Sequence, residues 1–242
     1  MIKFFRKIRQ KLLTENKFSK YLIYAIGEIV LVVIGILIAL SINNWNEDQK
    51  NKALEKNMLE NLVENLEQNC DMLKSRIRSI TLYRKSGAII ISAIENNQMD
   101  QDLLENHFHF AFMNTSNIKI SDVGYQVIKN KGLEIIRNPS IKKEIMIFFE
   151  ETQPKCHVNL NWGAVDMADR EKFIDQNFIQ VPNNKTLTYK PFDIENLFKQ
   201  NYFVALVYKT DAQRGFFLKV MKEHLEETQR VLAIIKAEIN TQ

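Results

Sequence analysis

Cysteine is nearly absent from this chain of 242 residues, which contains only Cys70 and Cys156. Two cysteines cannot build the framework of several disulfide bonds that stabilises many small secreted domains. Cys70 lies on an apolar helical stripe, where cysteine behaves as a small hydrophobic residue, so we expect two free thiols. A single bridge between them stays open as the alternative if the domain lies in an oxidising compartment.

Glycine and proline are also scarce, with seven and four residues in the whole chain. Because these residues are the strongest breakers of regular structure, their scarcity predicts long helices. The length allows one domain plus an anchor. The expected fold class is all-α, with a single N-terminal transmembrane helix followed by an elongated helical bundle that contains a long antiparallel helix pair.

Basic residues are in excess only at the N-terminus. The first twenty residues contain seven lysines and arginines and one glutamate, whereas the rest of the chain has a small negative excess. The chain therefore lacks the broad basic face with which proteins bind nucleic acid. Apolar residues recur among these basic residues at helical spacing, so we expect residues 1–20 to form a basic amphipathic cytoplasmic arm on anionic lipid.

Residues 21–42 form a long apolar run in which Glu28 is the only residue charged at neutral pH. A helix of this length rises about 33 Å, enough for a hydrocarbon core of about 30 Å. We predict a transmembrane helix here, with the basic arm in the cytoplasm and Trp45 at the outer interface. Ala39 and Ser41 resemble a processing site, so a cleaved signal peptide is the alternative, although the span and its basic flank are long for one.

One side of the predicted span combines an acidic residue with small residues. Spacings of four and three place five residues on one face: Glu28, Val32, Gly35, Ala39 and Ile42. Gly35 and Ala39 form a small-xxx-small pair, which lets a second helix approach closely. We interpret this face as a seam for self-association or for a partner membrane protein. The alternative is a Glu28 carboxylate that is protonated or reaches headgroups near Lys20.

Two apolar stripes of equal length lie near the two ends of the predicted extracytoplasmic domain, residues 43–242. The first stripe consists of Leu59, Val63, Leu66, Cys70, Leu73, Ile77 and Ile80. The second stripe consists of Leu218, Met221, Leu225, Thr228, Leu232, Ile235 and Ile239. Their three-four spacing is typical of packed helix faces, and we expect them to pair antiparallel, with Ile80 near Leu218. A parallel dimer through the first stripe is the alternative.

Capping residues between the stripes predict shorter helices. Asp122 or Ser121 is expected to begin a helix that ends just before Gly132. Asn138 is expected to cap a second helix, with Pro139 as its first helical residue.

The segment that follows carries weaker signals. Pro154 is expected to follow the end of the second helix, and residues 157–173 form a weaker helical prediction. Residues 181–191 are predicted as a loop with a short extended piece at 186–189. Asp193 is then expected to cap another short helix.

The sequence ENHFHFAF is the strongest candidate for a chemical site. On a strand, Glu105, His107 and His109 would share one face and offer three metal ligands. On a helix only Glu105 and His109 align, and residues 102–104 favour a helix start. No glycine-rich phosphate loop, nucleophile elbow or closely spaced cysteine pair occurs. We expect no metal, no cofactor and no catalytic residue, with a metal-dependent enzyme using these three side chains as the alternative.

Parts of the chain are similar to a known family. The segment FRKIRQKLLTENKFSKYLIYAIGEIVLVVIGILIALSINNWNE resembles the opening of an uncharacterised family of single-pass membrane proteins in Bacteroidota, a domain of unknown function. GYQVIKNKGLEIIRNPSIKKEIMIFFE resembles its Tyr-x-x-Leu-x-x-x-Gly segment, with Val127 and Ile128 where a leucine is common, and DIENLF is similar too. The resemblance implies an inner-membrane protein with a helical periplasmic domain, and it draws attention to the Gly27-Glu28 step. It implies no activity, substrate or catalytic residue.

These observations favour a bacterial inner-membrane protein with a cytoplasmic N-terminus and a periplasmic domain. We expect it to act through contacts with membrane lipid and with other proteins, as a homo-oligomer or with a partner membrane protein. Its role would be that of a scaffold or a sensor-like adaptor. Besides the metal-dependent enzyme, the alternative is a binder of envelope lipid or a small ligand, which would require a large apolar pocket among the helices.

Overall fold

The computed structural model describes residues 18–112, 118–161, 167–183 and 186–241. In chain order, its elements are α1 (Phe18–Glu95), α2 (Gln101–Phe112), α3 (Val123–Lys131), a 3-10 turn (Leu133–Ile135), α4 (Pro139–Ile147), a π segment (Phe148–Thr152), α5 (Gln153–Asn161), α6 (Met167–Asn177), β1 (Phe178–Asn183), β2 (Thr186–Pro191), α7 (Ile194–Lys199) and α8 (Asn201–Thr241). Helices dominate, which confirms the all-α class. The chain divides into two units, Met1–Leu54 and Glu55–Gln242, and α1 contributes residues to both. Nearly all of the predicted basic arm, residues 1–20, lies outside the described residues.

Within the second unit, α1 and α8 run antiparallel. Three side-chain contacts join them, and their positions rise along α1 as they fall along α8: Glu67 with Lys236, Arg84 with Asp211, and Glu95 with Tyr208. Ile80 and Leu218 belong to the same apolar cluster, as the pairing of the two stripes predicted. The stripe residues pack because their three-four spacing keeps them on one side of each helix.

Both cysteines are free and buried, as expected. Cys156 packs in the apolar cluster that contains Leu73, Phe217 and Met221. Burial raises the pKa of the Cys156 thiol to about 12 and also raises the pKa of Cys70. Both side chains are therefore neutral small hydrophobic groups near neutral pH.

The predicted helix boundaries are confirmed. Asp122 occupies the N-cap position of α3 but its side chain makes no capping hydrogen bond, and Gly132 follows the last residue of α3 with a φ of +107°, a conformation that glycine adopts without steric strain. The Asn138 side chain accepts hydrogen bonds from the backbone N–H groups of Ser140 and Ile141, with Pro139 at the first helical position. Asp193 caps α7 by accepting a hydrogen bond of 3.0 Å from the Asn196 N–H.

Pro154 follows the end of α4 at Ile147, as predicted, but the helical path does not stop there: it continues through the π segment into α5. Between α4 and α5 lies the π segment, in which the Gln153 N–H donates to the Phe148 carbonyl five residues earlier. A proline has no N–H to donate and its ring collides with the preceding turn of an α-helix. The wider π turn just before Pro154 accommodates both effects. The predicted helix over 157–173 lies in α5 and α6, with residues 162–166 outside the described part.

Residues 178–183 and 186–191 form two antiparallel strands, so the loop predicted over 181–191 is wrong for the residues that the structure describes. Phe178 pairs with Pro191 and Pro182 pairs with Leu187. In a two-stranded sheet both strands are edges, so a proline costs little pairing. Phe178 and Thr188 are buried, because the two strands pack against neighbouring helices. The extended piece predicted at 186–189 falls within β2.

Candidate functional site

The first unit presents a continuous apolar helical surface. Large apolar side chains between Leu22 and Ile42 are exposed, with Ile23 69% and Leu31 71% accessible. Within the described residues, α1 contains the one helix segment that is long and apolar enough to cross a membrane. The residues that the structure describes leave this surface uncovered, although an all-round apolar surface is unstable in water.

The predicted seam lies on this exposed surface. At Gly27 and Gly35, the space that a Cβ atom would occupy is open to 4 Å among the described residues. A glycine inside a helix costs about 1 kcal/mol relative to alanine, and packing within the described chain gives no reason for either one. Glu28 is half-buried, and Ala39 and Trp45 are exposed. The structure therefore places Gly27, Gly35, Ala39 and Trp45 on the exposed surface of α1, with Glu28 half-buried beside them.

In the second unit, two asparagines of α1 bind Ser121, which lies just before α3. The Asn69 Nδ2 donates to the Ser121 carbonyl at 2.7 Å, and its Oδ1 accepts from the Ser121 N–H at 3.0 Å. Asn65 donates to the Ser121 Oγ at 3.0 Å. Both asparagines are buried, so these bonds form away from water, where an unpaired partner is costly. We call Asn65, Asn69 and Ser121 the asparagine clamp.

Gly124 completes the same contact. A Cβ atom on Gly124 would lie 3.1 Å from the Leu62 Cα and 3.2 Å from the Asn65 Cβ, so any other residue would require the backbone of α1 or α3 to shift by a few tenths of an ångström. The sequence analysis missed the clamp. Its signal was the pair Asn65 and Asn69, two polar residues spaced by one helical turn beside the apolar stripe, but the signal does not name Ser121 as their partner.

A second polar contact fixes α3 against the π segment. The Glu150 carboxylate accepts hydrogen bonds from Lys129 Nζ at 2.7 Å and from the Tyr125 hydroxyl at 2.6 Å. These two donors, Lys129 first, hold the pKa of Glu150 below its usual value. Burial and the neighbouring carboxylate raise the pKa of Tyr125. The Tyr125 ring also stacks on Phe149 with a centroid distance of 4.6 Å.

The segment ENHFHFAF lies in helix α2, so its helical interpretation is confirmed and the strand interpretation is wrong. Glu105 pairs with Lys190 at 2.8 Å, and the His107 Nδ1 lies 3.2 Å from the Ser86 Oγ. The His109 ring packs edge-on against Tyr189, and burial lowers its pKa. In the residues that the structure describes, no group of three or more His, Cys, Asp and Glu side chains is placed to hold a metal ion.

Two charged residues of the second unit are almost completely buried. Arg214 is 1% exposed, donates to the Tyr83 carbonyl at 3.3 Å and lies over the Tyr83 ring. Burial, together with the charge of Arg170, lowers the pKa of Arg214 to about 10, so the guanidinium stays charged near neutral pH. Glu55 is also 1% exposed and accepts a hydrogen bond from the Arg137 backbone N–H at 2.8 Å. Each group forms a hydrogen bond with a residue that is far away in the sequence.

Two grooves lie on the surface of the second unit. One follows α4 and the π segment from Pro139 to Glu151 and has a volume of about 250 Å³. The other has a volume of about 270 Å³ and lies beside the Arg84–Asp211 pair between α1 and α8. Both are open to solvent and flanked by charged side chains, unlike the large apolar pocket that a lipid binder would require.

The comparisons with known proteins concern the first half of the chain. Residues 28–130 match DUF6090, a family of unknown function. The matched range begins at Glu28 and includes Gly35, the asparagine clamp and most of α3. The predicted resemblance to a family of unknown function is confirmed for this range. No curated protein and no solved structure matches the chain.

Proposed function

We propose that the protein is anchored in the bacterial inner membrane by residues 21–42 and acts through protein contacts. The observation that carries this proposal is the exposed apolar surface between Leu22 and Ile42. Its length suits a hydrocarbon core of about 30 Å. Seven basic residues precede it, so the positive-inside rule leaves the N-terminus in the cytoplasm and places the Glu55–Gln242 unit in the periplasm.

The proposed contact is the face that carries Glu28, Gly35 and Ala39. Small residues let two helix backbones approach closely, which strengthens packing where lipid provides no hydrophobic driving force. The open space above Gly35 supports this proposal, because the glycine destabilises its own helix without relieving a clash inside the described chain. The occupant is a second copy of the chain or a partner membrane protein, and the domain serves as a scaffold or sensor-like adaptor.

The anchor is tested by fractionation and by reporter fusions. We expect the intact chain to stay with membranes after an alkaline carbonate wash. A C-terminal reporter that works only in the periplasm should be active, and a reporter that works only in the cytoplasm should be silent. Recovery of the full-length chain in the soluble fraction, or the opposite reporter pattern, would contradict the proposal.

The seam is tested by cysteine crosslinking from two faces of the same helix. Gly35→Cys places a thiol on the proposed seam, and Leu37→Cys places one on the opposite side, two residues away. Cys70 and Cys156 are buried, so the unchanged chain serves as the background control. We expect Gly35→Cys to yield a crosslinked dimer or a partner adduct in membranes and Leu37→Cys to yield neither. Equal crosslinking from both positions contradicts the seam but leaves the anchor proposal intact.

A further inference from the structure

His224 is buried where α8 meets the π segment and α5. Its side chain is 3% exposed, and its ring lies nearly parallel to Phe148, with a centroid distance of 5.4 Å and an interplanar angle of 12°. Phe148 is itself 1% exposed and begins the π segment. The ring is therefore part of the contact that holds the segment from Phe148 to Asn161 against α8.

The polar atoms of this histidine are held away from hydrogen-bond partners. Both Nδ1 and Nε2 are buried, and neither has a hydrogen-bond partner among the described residues. A neutral imidazole has one N–H donor, whereas the charged form has two and a full positive charge. Gln153 on α5 also has a buried side-chain oxygen without a partner in this part of the chain. The site therefore suits the neutral ring and penalises the charged ring.

The surrounding charges do not offset this penalty. From α5, His157 adds a repulsive charge when protonated, and the Cys156 thiol is neutral. From the π segment, Glu150 is bound by Lys129 and Tyr125, and Glu151 is exposed. On α8 itself, Glu227 acts in the opposite direction and raises the pKa of His224, but less than His157 lowers it; this carboxylate also accepts a hydrogen bond of 2.9 Å from Arg230. Burial first, and His157 second, lower the pKa of His224 to about 4.

We propose that His224 is an acid-sensitive latch that holds the π segment and α5 against α8 near neutral pH and releases them on acidification. Protonation forces the charged ring out of the core, and the π segment is the weak point at which the helical path opens. The pKa of the ring in the folded state lies below the unfolded value of about 6.5. The contribution of the neutral ring is therefore complete above about pH 6.5 and is lost as the pH falls toward 4. Between about pH 7 and pH 5, the equilibrium constant for opening should rise about 20-fold.

Hydrogen exchange of the full-length chain in lipid nanodiscs tests the latch. After correction for intrinsic exchange rates, amides of residues 148–161 should lose protection about 20-fold between about pH 7 and pH 5. His224→Phe keeps an aromatic ring on Phe148 and removes the titrating group, so its protection should change less than about 3-fold. His157→Gln is the matched control, because it removes a histidine on α5 and leaves His224 buried; its pH response should persist and be somewhat smaller than in the unchanged chain, because one repulsive charge near His224 is gone.

Two results would overturn the latch. The first is an equal loss of protection in the unchanged chain and in His224→Phe, and the second is constant protection in the unchanged chain across this pH range. If His224→Phe fails to fold, NMR titration of the His224 ring in the unchanged chain decides the question. A ring that titrates below about pH 5.5 supports the latch, and a ring that titrates at or above this value rejects it.

Discussion

The two units of the chain use the same apolar residue types in opposite ways. Before Leu54, leucine side chains on α1 are exposed, as Leu31 and Leu37 show with 71% and 56% accessibility. After Glu55, Leu59, Leu66 and Leu73 on the same helix are completely buried. The difference follows from the pattern, because a one-sided stripe is covered by neighbouring helices of its own chain, whereas an all-round apolar surface needs an external partner.

Glycines show the same contrast between the two units. Gly124 lies so close to α1 that a Cβ atom would meet the Leu62 Cα at 3.1 Å, so contacts within the chain explain why glycine stands here. Gly35 has open space around it, and its explanation must lie outside the described residues. The second unit is therefore stabilised by contacts with itself, and the first is proposed to be stabilised by its surroundings.

Charges placed in the apolar helix should have the largest effect on membrane association. Leu31→Arg together with Ile38→Arg should abolish membrane retention, because each arginine costs about 2.5–3.5 kcal/mol near the centre of a span. Carbonate-resistant membrane association of the full-length chain is the measurement. Leu82→Arg with Ile89→Arg is the matched control, since both positions are exposed apolar residues of the second unit. If the two double variants fractionate alike, the apolar helix is not the anchor.

A leucine-to-alanine pair compares packing in the two units directly. Leu66→Ala should lower the free energy of unfolding of the domain by about 2–5 kcal/mol, because the side chain is fully buried and leaves a cavity. Leu37→Ala should change it by less than about 0.5 kcal/mol. Denaturant unfolding in detergent, followed by far-UV circular dichroism, gives both values. A similar loss from both substitutions would show that the two units unfold as one.

A glycine-to-alanine pair makes the same comparison with a single methyl group. Gly124→Ala should destabilise the domain by about 1–3 kcal/mol, because the new Cβ meets the Leu62 backbone, which cannot move aside as a side-chain tip would. Gly35→Ala should leave domain unfolding unchanged and favour its own helix by up to about 1 kcal/mol. Thermal unfolding of both variants against the parent chain measures the difference. Equal stability of the Gly124→Ala chain would mean that α3 is not held as closely as described.

Features that depend on neighbours along the chain could be predicted from the sequence. The Asn138 cap with Pro139, the Asp193 cap and the glycine after α3 all use hydrogen bonds or dihedral angles within a few residues. Helical periodicity also predicted which residues of α1 and α8 face each other, because the period of 3.6 fixes a face before any partner is known. The predicted membrane face is of this kind: its residues are known and its occupant is not.

Features that depend on distant contacts were missed or mispredicted. The asparagine clamp joins Asn69 to Ser121 across 52 residues, and no local pattern links the two. Most of strands β1 and β2 fell within a predicted loop, residues 181–191, because prolines and asparagines dominated the local signal, whereas burial of Phe178 and pairing between the strands decided the structure. The continuation of the helical path past Pro154 was missed because local rules do not anticipate a π turn that accommodates this proline.

The smallest expected effect is a change in the pKa of Glu150, a property set by contacts within the second unit. If contacts within the second unit set its properties, then Lys129→Met and Tyr125→Phe should each raise the pKa of Glu150 toward its usual value, with the larger rise from Lys129→Met. Because the folded-state pKa is depressed, the stability that this contact adds is present above the unfolded pKa and is lost as the pH falls through the folded value. NMR titration of the Glu150 carboxyl group measures each pKa.

Lys142→Met is the matched control for this titration. Lys142 is bound to Glu134 at 2.9 Å, so its loss removes one lysine charge from the same part of the domain without removing a donor to Glu150. The pKa of Glu150 should then stay near its value in the parent chain. A rise as large as that caused by Lys129→Met would mean that net charge lowers this pKa. The hydrogen bonds between α3 and the π segment would then not be its cause.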